Sequence, residues 1–529
     1  TVTDATGHYF LKNLPEGNFI LEVSSVGYKT VTRNVTLKKG KTLEEDFGIE
    51  EDAIALDGVV VSANRSETTR RLAPTLVNVV DLKLFETTNS STLSQGLNFQ
   101  PGVRVETNCQ NCGFQQVRIN GLDGPYTQIL IDSRPVFSDL SGVYGLEQIP
   151  ASMIERVEVM RGGGSALFGS SAIAGTINII TKEPLRNSGQ LSHTLTALGG
   201  GSSFDNNTSL NASLVTDDHR AGLYIFGQNR HRSGYDYDGD GFTELPKLKN
   251  QTVGFRSYLK TSTYSKLTFE YHHMQEFRRG GDMLDRPPHE AHIAEQLQHS
   301  IDGGSLKFDY FSPDEKNRLS IFASAANTDR DSYYGPGNDP LKAYGKTTDL
   351  TAMGGAQYVH TFDKCFFMPS DLTAGLEYNR DRLKDNMWGY DRHTDQTVNI
   401  YSAFLQNEWK NDRWGILIGG RLDKHNMVDN VIFSPRANLR FNPTQNINLR
   451  LSYSSGFRAP QAFDEDMHIE NVGGTVAMIE RAKNLKEEKS QSFSASADMY
   501  HRFGVFQTNF LIEGFYTCLL YTSPSPRDA

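Results

Sequence analysis

The stretch Arg436-Ala437-Asn438-Leu439-Arg440-Phe441, continued after Asn442 to Asn446 by Ile447-Asn448-Leu449-Arg450-Leu451-Ser452-Tyr453-Ser454, alternates between apolar and polar side chains throughout. Successive side chains of a strand point to opposite faces, so this pattern predicts two strands joined by a turn, each with one apolar and one strongly polar face. The alternation recurs upstream. Leu267, Phe269 and Tyr271 interleave with Thr268, Glu270 and His272, and Leu306, Phe308 and Tyr310 with Lys307 and Asp309. Two architectures use such strands. In a soluble sandwich the apolar face meets another sheet, whereas in a membrane barrel it meets lipid and the polar face lines a lumen.

Loop lengths separate the two, because a barrel has tight turns on one rim only. Short turns are expected at Asp217–Arg220, Thr263–Ser265, Pro313–Asn317, Asn411–Arg413, Pro443–Asn446 and Arg502–Gly504, with long loops between them near 234–246, 279–293, 332–347, 385–395 and 459–486. The strands, of roughly 10 to 14 residues each, number about 15. That count is odd where closed barrels are normally even, so an incomplete barrel is expected.

Composition agrees. The 529 residues carry 53 Lys+Arg against 63 Asp+Glu, a net charge of −10, with a mean hydropathy of −0.48. No run of about 18 apolar residues is present, which excludes a spanning helix but not a barrel, whose alternating strands average to a soluble-looking value. The acidic balance gives no footprint for nucleic acid, and four cysteines are too few for a disulfide scaffold. Thr1–Gly7 shows neither an initiating Met nor a signal peptide, so the N-terminus reads as cut, and the Pro/Ser tail 518–529 reads as non-native.

Ahead of the barrel pattern, residues 1–50 carry short β runs around turns (His8–Leu11, Phe19–Val23, Gly27–Tyr28, Val31–Leu37), as in a small β-sandwich. A linker, 51–69, contains Leu56-Asp57-Gly58-Val59-Val60-Val61-Ser62, a β-branched segment suited to pairing with another chain's sheet edge or to an ordinary edge strand. Residues 70–184 read as a mixed α/β block, with strands at 117–121, 129–132 and 157–161 and helical pieces at Thr92–Leu97 and Ser152–Ile154. Its Gly162-Gly163-Gly164-Ser165 lacks the Gly-Lys-Ser/Thr of a phosphate loop.

The run Ile154-Glu155-Arg156-Val157-Glu158-Val159-Met160-Arg161-Gly162, continuing to Gly175-Thr176-Ile177-Asn178-Ile179-Ile180-Thr181, closely resembles the plug signature of TonB-dependent outer-membrane receptors. Pro101-Gly102-Val103, Val117–Gly121 and Gly456-Phe457-Arg458-Ala459-Pro460 match other parts of that family, and residues 1–50 resemble its carboxypeptidase regulatory-like domain in Bacteroidetes receptors. The resemblance implies a mainly β protein: the small sandwich, an α/β plug over 70–184 and an antiparallel transmembrane barrel over 185–517. It places the Ton box at Leu56, Asp57, Gly58, Val59, Val60 and Val61. It implies active transport of a scarce chelate (ferric siderophore, cobalamin or haem) across the outer membrane of a Gram-negative bacterium. The implied partners are TonB with its inner-membrane complex, a small chelate, outer-membrane lipid and, as an optional partner, a surface lipoprotein. A SusC-like glycan importer is the alternative, disfavoured by Glu158-Val159-Met160-Arg161-Gly162; a receptor acting chiefly in signalling is another. No required cofactor is implied.

Four further sets of residues carry chemistry. Glu155, Arg156, Glu158 and Arg161 are too polar for lipid and are expected to pair with lumen residues such as Arg436 and Arg440. Asp236, Asp238, Asp240 and Glu244 set carboxylates at alternate positions around glycines, a candidate calcium loop, although Lys247 excludes an EF-hand; cobalamin receptors of the family order such loops with calcium. Cys109 and Cys112 are compatible with zinc, redox exchange or a small disulfide, and in an oxidising envelope the disulfide is expected. His289, Glu290 and His292, with Glu295 and His299 beyond, lack metalloprotease spacing. No grouping of nucleophile, base and orienting residue supports catalysis.

Overall fold

The computed structural model describes residues 9, 11, 14–23, 31–49, 59–66, 68–109, 111–134, 145–335, 340–463, 467–472, 475–477, 485–504 and 506–520. Fifteen antiparallel strands, from Ser188–Leu198 to Phe506–Leu520, form one sheet in which each strand pairs with the next along the chain. Among the described residues, the small hairpin of Glu470–Val472 with Thr475–Ala477 is the one strand pair that interrupts the succession, between Ile447–Arg458 and Glu488–Phe503.

Burial decides between sandwich and barrel. Leu439 pairs with Leu451 and both point outward, 37% and 56% exposed, while Arg440 pairs with Arg450 and both are enclosed, at 0% and 3%. Phe269 and Leu306 are likewise exposed where Thr268 and Asp309 are buried. A soluble sandwich would show the reverse order; apolar outside and polar inside is the signature of a wall facing lipid. At the short-turn rim this apolar band ends in exposed aromatics, among them Tyr264, Phe311, Phe367, Trp414 and Phe506, where amphipathic rings suit the membrane–water boundary.

The strands are longer than expected, reaching 22 residues at Tyr344–Cys365 and 20 at Met368–Met387. Strand accordingly extends to Gly335 and resumes at Tyr344 within the loop expected at 332–347, the loop expected at 385–395 shrinks to 388–391, and an additional tight turn lies at 366–367. The reason is visible in Asn379-Arg380-Asp381-Arg382, which is strand with no apolar alternation. Beyond the hydrocarbon band, about 25 Å tall, the outer face no longer needs apolar residues, so hydropathy periodicity loses the strand while the hydrogen-bond ladder continues.

Inside lies the plug. Its four-stranded sheet runs in the order Val77–Asp81, Ile154–Arg161, Gly175–Thr181, Thr127–Ile131, the last two parallel and the others antiparallel. Ile154, Val157, Val159, Ile177 and Ile179 form its core. The helix Leu82–Thr87 begins where the Asp81 side chain accepts from the Leu84 N–H at 2.9 Å, a side-chain N-cap. The expected helical pieces are found as the helix Leu93–Leu97 and a 3-10 turn at Ala151–Met153. Separately, Val103–Cys109 and Phe114–Ile119 form a hairpin. The glycine run is a point of close approach: a Cβ on Gly163 would collide with Ser454 of the barrel wall, and one on Gly164 would stand 2.8 Å from Thr176. In the N-terminal region Gly17–Val23 pairs with Val31–Leu37, while the runs expected at His8–Leu11 and Gly27–Tyr28 fall wholly or partly outside the described residues.

Leu451 lies four residues from the short turn at 445–446 and faces the hydrocarbon. Leu451→Arg is expected to cost about 2–4 kcal/mol of barrel stability, far more than Leu451→Ala. Urea titration of the full-length receptor in bilayers checks this; equal midpoints for Arg and Ala variants would place Leu451 away from lipid.

Candidate functional site

The chemistry-bearing residues collect in three clusters of the lumen, one at the short-turn end and two toward the long loops. At the short-turn end, Val59–Val60 forms a two-residue ladder with Thr68–Thr69, and Val60 is fully buried against Ala63, Ala73 and Val77. Leu56, Asp57 and Gly58 lie outside the described residues. Immediately after this segment, one oxygen of Glu158 accepts from the Val61 N–H (2.9 Å), the Ser62 N–H (2.9 Å) and the Ser62 hydroxyl (2.8 Å). Its other oxygen accepts from Arg156 at 2.9 Å, and Asn178 donates to the Ser62 hydroxyl at 3.0 Å. A fully buried carboxylate is tolerable only when saturated in this way.

These contacts correct the expected pairing of plug charges with Arg436 and Arg440. Glu158 and Glu155 are both paired with Arg156 within the plug, because their strand runs through the middle of the plug sheet. Arg161 bonds the Pro101 carbonyl at 3.1 Å and forms an ion pair with Glu513 of the last barrel strand. The lumen arginines instead grip main chain. Arg436 donates to the Ala63 carbonyl (2.9 Å), and Arg450 to those of Ala73 (3.1 Å) and Arg70 (3.0 Å), while Arg440 holds the turn carbonyls of Asn411, Asp412 and Trp414. Gln406 adds a bond to the Asn64 carbonyl at 2.9 Å. The barrel thus holds the chain just downstream of Val59–Val61 by its backbone.

Close beneath the hairpin tip, whose Gly113 carbonyl Arg278 also bonds at 3.4 Å, Glu147 of the plug meets three barrel arginines, Arg278 at 2.8 Å, Arg232 at 3.5 Å and Arg230 at 3.6 Å. Burial pushes its carboxyl up, but the three cations outweigh that and hold it down at about 2.

At the long-loop end, the tip of the plug hairpin brings Cys109 and Cys112 against Glu295, in the first residues of the strand Ala294–Phe311, and against His468 of the connection 459–487. Neither cysteine is in a disulfide, which corrects that expectation: the Cys109 thiol donates to Glu295 (3.2 Å), and the Cys112 sulfur lies 3.5 Å from His468 Nε2. A hydrogen bond with Cys112 draws the Cys109 thiol down to about 7 despite burial, helped by His468. Burial disfavours the His468 cation, yet its bonds to Cys109 and Glu295 raise it to about 10. The tip is tightly seated, since a Cβ on Gly280 of the wall would collide with the Asn111 main chain.

Of the other expected ligands, three loop carboxylates gather while the histidines scatter. Asp236, Asp238 and Glu244 come within 4.8 Å of one another, whereas Asp240 caps the Phe242 N–H at 2.8 Å. The Asp236 carboxylate also accepts from the N–H groups of Gly239 (2.7 Å) and Gly241 (2.9 Å), so the loop is internally bonded. His289 meets Tyr344, His292 meets Asp282, and His299 lies buried 3.6 Å from Glu276. Glu290, in the 3-10 turn Pro288–Glu290, has no part in the cysteine cluster.

A barrel wall that encloses an α/β plug defines a plugged outer-membrane receptor. The comparisons agree: the family described as TonB dependent receptor-like, beta-barrel matches residues 175–517, the TonB-dependent Receptor Plug Domain matches 69–176, and the CarboxypepD_reg-like domain matches 1–61. The chain belongs to the TonB-dependent receptor family, whose barrels lie in the outer membrane. It is 25% identical over 424 residues to the vitamin B12 transporter BtuB of Vibrio vulnificus, covering 77% of this chain and 64% of that protein, so it spans just under two thirds of that relative's length. The siderophore receptor PirA of Acinetobacter baumannii superposes with a TM-score of 0.67 (18% identity, 85% of this chain and 78% of that one). The ferric enterobactin receptor PfeA of Pseudomonas aeruginosa gives 0.69 (18% identity, 85% and 72%). At these identities the structural likeness is one of fold. Relatives of this kind are receptors and transporters and not enzymes.

Two outcomes follow from the lumen contacts. Glu147 is held from 4.5 down to about 2, so its contribution is complete above about pH 4.5 and lost as pH falls through about 2. Plug protection against an acid-active protease is expected to fall across that window in the parent. In Glu147→Gln it should already be reduced at pH 7 and lack that acid step; identical profiles would separate Glu147 from plug seating. For the latch, Glu158→Ala orphans two main-chain donors, each worth about 1–3 kcal/mol. A cysteine placed at Val60 should then react with maleimide at least about tenfold faster than in the Glu158 background, and an unchanged rate would show that Glu158 does not hold the segment.

Proposed function

We propose that this receptor imports a scarce metal chelate (ferric siderophore, cobalamin or haem) across the outer membrane of a Gram-negative bacterium, powered by TonB and its inner-membrane complex. The observation that carries the reading is the division of the lumen. The segment with the Ton-box residues Val59–Val61 is latched at the short-turn end, which in such barrels faces the periplasm. The plug hairpin, with Cys109 and Cys112 against Glu295 and His468, lies at the opposite end. Ligand arriving from outside meets the hairpin and the long connections, while a periplasmic partner reaches the other end of the same plug. The plug's core strands join the two, so the ends can be coupled through one folded unit. The family membership and the B12, siderophore and enterobactin receptors among similar proteins support a chelate as cargo.

The partner's strand is to pair with the chain around Val60, by main-chain bonds at a sheet edge. Val60→Pro removes a donor and fixes φ, which damages that ladder. Because this segment lies across the lumen from the hairpin, ligand binding should stay within about twofold of the parent while accumulation in energised cells falls at least about tenfold. Uptake of radiolabelled ligand by full-length Val60→Pro at the parental rate would reject the coupling role.

A further inference from the structure

We propose that Cys109, Cys112, Glu295 and His468 form a four-coordinate site for one divalent ion of the zinc class, shared between the plug and the barrel. The proposal rests on the geometry of these four residues and not on the uptake reading.

Four donor atoms of the types zinc prefers converge from three separate parts of the chain, all within 4.8 Å of one another. A tetrahedral ion with bonds of about 2.0 Å to nitrogen and oxygen and 2.3 Å to sulfur has donor–donor edges of about 3.3–3.8 Å. The structure has 3.2 Å for Cys109 Sγ to Glu295 Oε2, 3.5 Å for Cys112 Sγ to His468 Nε2, and 3.4 Å for His468 Nε2 to Glu295 Oε2. Both histidine contacts use the same nitrogen, and both carboxylate contacts use the same oxygen. Matched edge by edge, these three distances lie within about 0.3 Å of those of a tetrahedral ion, and the other three edges are no longer than 4.8 Å, so small side-chain shifts would close the four donors on one ion.

The surroundings fit as well. Cys112, Glu295 and His468 are buried, at 0%, 2% and 9% exposure. The shell is apolar, from Phe114, Leu297, Tyr334, Met387 and Ile469. Phe114 and Tyr334 clamp the His468 ring, with centroids at 5.1 and 5.5 Å. An apolar shell of this kind fixes ligand orientation and limits water access.

The donor set narrows the ion. Thiolates exclude calcium and magnesium, which take oxygen, and an iron–sulfur cluster takes four cysteines, or two with two histidines, where this group has one histidine and one carboxylate. Two thiolates with a carboxylate and an imidazole balance a divalent charge better than cuprous ion, for which a carboxylate is a poor ligand. On binding, the two thiol protons and the proton on His468 Nε2 leave to solvent, and no oxidant is required.

The full-length receptor, purified and stripped of metal under reducing conditions, is titrated with Zn2+ by calorimetry and with Co2+ by absorbance. One ion per chain is expected, with a sulfur-to-cobalt charge-transfer band and the intense visible bands of tetrahedral Co2+. Cys109→Ser with Cys112→Ser should weaken Zn2+ at least about hundredfold and abolish the charge-transfer band, and His468→Gln should weaken it at least about tenfold. Unchanged heat-modified mobility on gels shows that each variant keeps its barrel. A cobalt spectrum without sulfur ligation, equal Zn2+ affinity in the double variant, or a Cys109–Cys112 disulfide that persists in the reduced receptor overturns the site. Radiolabelled Zn2+ uptake then distinguishes a carried ion from a resident one: cells that accumulate it only with the cysteines intact identify cargo, and one bound ion without accumulation identifies a staple between plug and wall. Val60→Pro reports on the uptake reading separately, so either conclusion can fail without the other.

Discussion

A sheet that turns its apolar side chains to lipid has only polar ones left for its inner face, and a lumen of this width cannot bury them against one another. That constraint organises the molecule. Arg436, Arg440 and Arg450 are enclosed, and Arg440 stands directly opposite Arg450, a like-charge pair that would repel if left bare. They are tolerable because the main-chain carbonyls of the plug and of the barrel's own turns accept their protons. The plug is needed by the wall as much as the wall is needed by the plug.

The way the lumen charges are satisfied differs by level. At the short-turn end the wall reads the plug's backbone, through carbonyls at residues 63, 70 and 73, so the contact depends on chain path more than on side-chain identity. Just beneath the plug hairpin it reads one carboxylate, Glu147, with three arginines. At the long-loop end it meets thiols with a carboxylate and an imidazole. Hydrophobic packing holds the plug sheet together and, through Tyr224, Phe226, Leu297 and Tyr334, part of its seat; the rest of the seat is polar, and polar contacts can be exchanged for water at smaller cost than an apolar core can be opened.

The barrel was legible from sequence because lipid imposes period-two alternation on each strand, and Leu439/Arg440 and Leu449/Arg450 obey it. Legibility stopped where lipid stops: Asn379–Asp385 is strand, yet its residues answer to water on one side and lumen on the other. The plug motif around Glu158 was recognisable, but its partners were not, since the pairing of Glu158 with Val61 and Ser62 spans 97 and 96 residues and uses main chain, which carries no sequence signal. Cys109 and Cys112 were visible as a pair. Glu295 and His468 lie 186 and 356 residues from the cysteines they touch, and no spacing rule reaches that far. The one available signal was the presence of Glu295 among histidines in a connecting segment, and it pointed to the wrong neighbours, because His289 and His292 turn to Tyr344 and Asp282.

The ladder of Val59 and Val60 with Thr69 and Thr68 has a mechanical consequence. Val59 and Thr69 are its open end, and the chain beyond Thr69 is anchored to the wall by Arg450 through the Arg70 and Ala73 carbonyls. Tension arriving upstream of Val59 therefore acts at the same end as the anchor and peels the ladder one bond at a time, the compliant mode, instead of shearing all its bonds together. Once Val60 has parted from Thr68, the load passes to the paired N–H bonds of Val61 and Ser62 on a single Glu158 oxygen. That carboxylate sits in the central strand of the plug sheet, between Val77–Asp81 and Gly175–Thr181. The fastening is weak at its open end and stiff where it meets the plug's core, so a pull applied upstream of Val59 would spend little work before it reached the central strand.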